Sequence, residues 1–177
     1  MTDAASELTA RVEAAYGRVQ RERMAGLPFV NEALRVELLG LRRWRGLWLG
    51  VLLTPWCMNL LLLPGAAAGA DDEPPAPWPR PVTGESAQFA FPAATMGFFA
   101  GHEEDIGEYL ACSLFSPMFE FVDQASARAM AEACLLALLD PAAAAAQAAP
   151  ARAPVDAGKR NFLRGRRDDP ALPPGRQ

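Results

Sequence analysis

One histidine, His102, and one lysine, Lys159, are all that the 177 residues offer of either type. General acid–base catalysis draws most often on histidine, and Schiff-base chemistry on lysine, so the chain holds little material for either. Its three cysteines, Cys57, Cys112 and Cys134, form no Cys-x-x-Cys pair. An odd number of widely spaced thiols makes no disulfide framework, which points to a reducing, cytoplasmic setting. A zinc or iron–sulfur centre needs more ligands at closer spacing, so no metal or cofactor is expected and the thiols read as core side chains. No nucleophile–base pair stands out either, and the composition argues against an enzyme.

Nor is there an excess of basic charge. The total is −4, from 17 basic and 21 acidic residues, which disfavours a general nucleic-acid binder. The spread is uneven: residues 1–45 carry eight bases and six acids, residues 46–150 two bases and twelve acids, and residues 151–177 seven bases and three acids. The chain therefore has basic ends and an acidic middle. Apolar residues reach 51%, so the composition is globular.

Residues 4–25 read as an amphipathic helix, with Leu8, Val12, Tyr16 and Val19 on one stripe and Gly26-Leu27-Pro28 as its stop. Leu34, Val36 and Leu38 then alternate with polar residues as a half-buried strand does. Residues 47–54 follow as a strand apolar on both faces, and residues 58–63 as a third. Residues 65–88, with an acidic triplet and five prolines between Pro74 and Pro81, predict an extended surface loop. Two more strands are expected over residues 94–100 and 106–115, joined by a turn at the acids 103–105. Asp123 caps a second helix, whose Ala127, Met130, Ala131, Cys134, Leu135 and Leu138 keep a three-four spacing until Pro141. The fold class is α+β: a mainly antiparallel sheet in two layers, with the N- and C-terminal helices covering one face. The domain spans residues 1–140, and residues 141–177 form an Ala/Pro/Arg-rich tail expected to be mobile without a partner.

Residues 46–70 contain no charge, which is length enough for a membrane span, and Arg42 and Arg43 precede them as in an export signal. The run begins over forty residues into the chain, and Thr54, Pro55 and Asn59 interrupt it. Two consecutive strands account for it better than a helix with proline near its centre.

Three blocks carry a resemblance. Thr54-Pro55-Trp56, followed by Met58-Asn59-Leu60-Leu61-Leu62-Leu63-Pro64-Gly65, resembles the central motif of the HybE-type [NiFe]-hydrogenase assembly chaperones. Phe91-Pro92 through Thr95-Met96, then Tyr109-Leu110-Ala111-Cys112-Ser113-Leu114-Phe115-Ser116-Pro117-Met118, is similar to that family's second motif. Lys159-Arg160-Asn161-Phe162-Leu163-Arg164-Gly165-Arg166 is similar to its C-terminal basic signature. The resemblance implies a cytoplasmic, non-enzymatic accessory protein of α+β fold. Its partner would be an immature hydrogenase subunit, above all the small-subunit precursor with its twin-arginine export signal. Some members are linked to a rubredoxin module, which needs paired Cys-x-x-Cys motifs; they are absent here, so bound iron is not carried over.

Two groups of residues are the candidate partner-binding sites. Glu103, Glu104, Asp105 and Glu108 are the densest acidic cluster, and carboxylates can take arginines as bidentate pairs; exposed hairpin charges are the plainer account. Trp56, Met58, Met96, Met118 and Phe119 are candidates for an adaptable apolar groove, with core packing as the competing account. Trp56 follows proline in a sharp bend, where a large ring can stay partly exposed. A membrane-associated structural component, and a scaffold within a hydrogenase complex, remain as alternative functions.

Overall fold

The computed structural model describes residues 3–65, 78–79 and 85–142. These all lie in the first of two compact units, residues 1–147; the second, residues 148–177, is outside the described residues, as is most of the proline-rich loop. Helix α1 (Asp3–Val19) buries Ala5, Leu8, Val12, Ala15, Tyr16 and Val19 along one stripe and runs on through a π-helical turn, Gln20–Met24. Six strands follow: β1 (Glu37–Trp44), β2 (Leu47–Leu53), β3 (Met58–Leu63), β4 (Ala87–Ala90), β5 (Thr95–Glu103) and β6 (Gly107–Phe115), and then helix α2 (Gln124–Leu139). The strand order is β1-β2-β3-β6-β5-β4, with every neighbouring pair antiparallel.

The α+β class and the antiparallel sheet are as expected, but the helices do not share a face. Alternate residues of β2 and β3 enter two separate cores. Leu49, Val51, Leu53, Leu60 and Leu62 pack with Ala127, Ala131, Leu135 and Leu138 of α2. Trp48, Leu52, Leu61 and Leu63 pack with Leu8, Val12 and Tyr16 of α1. A strand apolar on both faces must be covered on both, so each helix takes one side and the central sheet is sandwiched.

Residues 47–63 of the uncharged run form β2, a turn and β3, while residues 66–70 lie outside the described residues; no helix among the described residues is long and apolar enough to cross a membrane. Arg42 and Arg43 lie in β1, and Arg45 and Gly46 make the β1–β2 turn at φ +47° and +73°, the left-handed pair of a tight hairpin.

The first strand lies further along than the alternation of residues 34–38 suggests. Its register jumps between Leu39 and Arg42, with Gly40 at φ +63° forming a bulge. That extra residue interrupts the period of two. Ahead of it, Arg35 is paired not with a strand but with the Gln124 side chain, whose Oε1 accepts from Arg35 N at 2.9 Å. Leu38 N donates to Glu13 Oε1 at 2.9 Å, so side chains from both helices occupy polar backbone groups beside this sheet edge. Strand β4, four residues long, is absent from the sequence reading because it is too short to show a period.

Candidate functional site

Three loops meet at the end of the sheet where β2, β6 and the segment before β1 come together. The β2–β3 turn, residues 54–57, is held by Thr54, among the described residues the one buried polar side chain. Its Oγ1 accepts from Cys57 N at 2.9 Å and donates to Cys57 O at 2.8 Å. The preference of Thr-Pro for a turn, with a hydroxyl free to satisfy two backbone groups, closes the bend without an orphaned polar atom. Burial pushes the Cys57 thiol up, against hydrogen bonds from Thr54 and Asn59 that pull it down.

Asn31 ties this turn to the other two loops. Its backbone N donates to Pro55 O at 2.8 Å, and its side-chain Nδ2 donates to Met118 O at 3.0 Å and Phe121 O at 2.8 Å. Its Oδ1 accepts from Ala33 N at 3.0 Å. One residue therefore joins three loops: its backbone N–H holds the Thr54–Cys57 turn, and its side-chain amide holds Ala33 and the β6–α2 connection. The motifs around Pro55 and Pro117, 62 residues apart in the chain, become neighbours through it.

The structure divides the predicted apolar residues. Trp56, Met58 and Met118 are buried: Trp56 in the α1 core, Met58 and Met118 in the α2 core. The expectation that they line an exposed groove is corrected; their rings and thioethers anchor the turn and the β6–α2 loop from below. The bend at Pro55 directs the Trp56 ring inward because α1 covers that side of the sheet. Phe119 is exposed. Met96 is half-buried and lines a shallow apolar cleft of about 240 Å³ with Leu60, Leu114, Cys134 and Leu138, between β5, β6 and α2.

The acidic cluster sits at the other end of the sheet, on the β5–β6 hairpin. Glu104 and Glu108 are exposed. Asp105 pairs with Arg18 of α1 at 2.6 Å, and Glu103 with Arg23 of the π-helical turn. The Glu103 hydrogen bond holds the Arg23 guanidinium above its ordinary pKa. The cluster thus already seats an arginine pair from its own chain, which the sequence reading missed, since nothing local marks residues 18 and 23 as partners of residues 105 and 103. Beside these pairs, Tyr16 and Tyr109 meet edge to face at 6.3 Å, and burial pushes both phenols up. Gly101, opposite Tyr109 in the β5–β6 ladder, makes room for that ring: a Cβ there would fall 2.3 Å from it.

Cys112 and Cys134 are free thiols pushed up by burial. Among the described residues no group of three or more His, Cys, Asp or Glu side chains is placed to hold a metal ion. The basic motif at residues 159–166 lies outside the described residues.

Comparison with known proteins gives a consistent picture. The family model described as "[NiFe]-hydrogenase assembly, chaperone, HybE" matches residues 7–165. The hydrogenase expression/formation protein HupJ of Bradyrhizobium diazoefficiens is 40% identical over 153 residues, covering 85% of this chain and 83% of that protein. The hydrogenase expression/formation protein HupT of Azotobacter chroococcum is 47% identical over 122 residues, covering 68% of this chain and 75% of that protein. The solution structure of HybE from Escherichia coli superposes with a TM-score of 0.57 at 26% identity, covering 75% of this chain and 76% of that one.

Proposed function

Because this chain belongs to the HybE family of [NiFe]-hydrogenase assembly chaperones, we propose that it binds the small-subunit precursor through the twin-arginine signal segment before export, acting in the cytoplasm. The observation that carries the family reading is the match across residues 7–165, which takes in all the described elements from β1 to α2. The role is one of holding and release, not catalysis. The signal part of the reading is supported by the β5–β6 hairpin, where Glu103 and Asp105 already accept two guanidinium groups. A precursor's arginine pair would compete with Arg18 and Arg23 for these carboxylates, with Glu104 and Glu108 adding to the local negative field. Met96 and Phe119 are the predicted apolar contacts that remain accessible.

Calorimetric titration of the full chain with the co-encoded small-subunit precursor, with and without its signal segment, tests this. Binding that requires the signal, and that weakens with salt, is the expected result. Glu103→Lys with Asp105→Lys should abolish it. Equal binding of both forms overturns signal reading and leaves a scaffold role on the folded subunit.

A further inference from the structure

Two tryptophans of the β1–β2 hairpin carry arginines on their rings. The Arg43 guanidinium lies 4.5 Å from the centre of the Trp48 ring, and that of Arg45 lies 5.0 Å from the centre of the Trp44 ring. Both indoles are fixed platforms: Trp48 is buried in the α1 core, and Trp44 packs on the α2 core and stacks on Phe91 at 4.2 Å. Arg43 Nη1 also donates to Gly46 O at 3.4 Å, inside the turn that Arg45 begins. The two guanidinium groups therefore belong to one turn, reached from its α1 side by Arg43 and from its α2 side by Arg45. Arg42 stands beside them, with its Nε donating to Gly40 O at 3.0 Å.

All three arginines are exposed, and among the described residues none is in an ion pair. Glu7 and Glu132 line clefts beside Trp48 and Arg42, but neither closes a pair with them. Covering an indole accounts for an apolar stem at each ring, not for the residue that Arg45 is. Its φ is +47°, at a turn position where a tight hairpin favours Asn, Asp or Gly. Natural chains break such local rules at functional sites. Stacking on a ring also holds each guanidinium plane in place, with N–H groups left at its edge.

The rest of this sheet end selects the partner. Trp48 pairs with Leu63, Leu62 with Leu110 and Glu103 with Gly107, so the β1–β2 and β5–β6 tips lie at the same end of the sheet. Three strand spacings separate the two hairpins, about 14 Å. One tip is basic and the other acidic. A long phosphate array, in a nucleic acid or an anionic membrane, that met the arginines would also meet Glu103, Glu104 and Asp105. A short run of carboxylates on a protein chain reaches the basic tip alone, and carboxylates accept the guanidinium fork as bidentate pairs. We infer that the β1–β2 tip, through Arg43 and Arg45 with Arg42 alongside, docks an acidic segment of a protein partner. Because the two guanidinium groups approach the turn from opposite faces, the segment is extended and carries carboxylates at intervals. This contact stands apart from signal reading at the β5–β6 hairpin and does not depend on it.

The test titrates the full chain with a short synthetic peptide in which aspartate alternates with serine, followed by NMR of the tryptophan side chains. The indole N–H signals of Trp44 and Trp48 should shift, and that of Trp56, at the other end of the sheet, should not. Arg43→Gln with Arg45→Gln alters only exposed side chains, a thermal melt verifies that the fold is kept, and peptide binding should weaken about tenfold. Arg45→Asn gives the turn the residue its geometry prefers, so it should raise the melting temperature while weakening the peptide. A role confined to packing predicts the opposite pairing, a loss of stability with peptide affinity unchanged. That pairing overturns the docking surface, as does the absence of Trp44 and Trp48 shifts at high peptide concentration. An oligodeoxythymidylate or a phosphatidylserine vesicle that binds through the same arginines as tightly as the peptide overturns it too, by assigning the tip to phosphate.

Discussion

The indole of Trp44 stacks on the ring of Phe91, with centroids 4.2 Å apart and planes 15° from parallel. Trp44 ends β1 and Phe91 follows β4, the two outermost strands of the sheet. Phe91 also packs on Phe98 at 6.1 Å, and Phe89 meets both Trp44 and Phe98. The sheet curls on its α2 side until its edges share an aromatic cluster. Phe91→Ala removes the centre of that cluster and should cost about 3–5 kcal/mol in urea unfolding.

Removing the Asn31 amide leaves the Met118 and Phe121 carbonyls without their donor. Asn31→Ala is expected to lower stability by about 1–3 kcal/mol. Asn31→Asp should be no better, since a carboxylate turns acceptors toward two carbonyls. Equilibrium denaturation of both variants checks the order.

Gly101 faces Tyr109 too closely for any side chain. Gly101→Ala must displace the phenol ring, which carries the contact with Tyr16 of α1, and a loss of about 1–3 kcal/mol is expected. The coupling is testable: Gly101→Ala in a Tyr109→Ala background should cost much less than in the parent, a double-mutant cycle with a clear sign.

Asp123 caps α2, accepting from Ser126 N at 2.7 Å, and this bond holds its carboxyl below the ordinary value of 3.8. A depressed folded-state pKa contributes stability above the unfolded value, and that contribution is lost as pH falls through the folded value. The stability difference between the parent and Asp123→Ala should therefore be constant near neutrality and shrink below pH 3.8. A gap that stays level from neutral to acid pH would show that the ionised carboxylate is not what caps the helix.

The residue pattern alone determined a good deal of this protein. The stripe of Leu8, Val12, Tyr16 and Val19 announced α1, and Asp123 with its three-four spacing announced α2, because capping and amphipathicity are local. The β3 strand, Met58–Leu63, was legible as an uninterrupted apolar run. The motif blocks around Pro55 and Pro117 carried the family. The bulge at Gly40 shifted β1 away from its apparent period, and β4 was too short to have one.

What only the tertiary structure decided is how separated segments face each other. Periodicity states that a strand is apolar on both sides, but not which helix covers which. That division buried Trp56 under α1 and Met58 and Met118 under α2. It also brought Arg18 and Arg23 onto Asp105 and Glu103, and Asn31 onto Met118 and Phe121. Such contacts span about eighty or more residues of chain. Their partners are selected by the packing of whole elements, a cooperative choice that leaves no local trace in the spacing of residues.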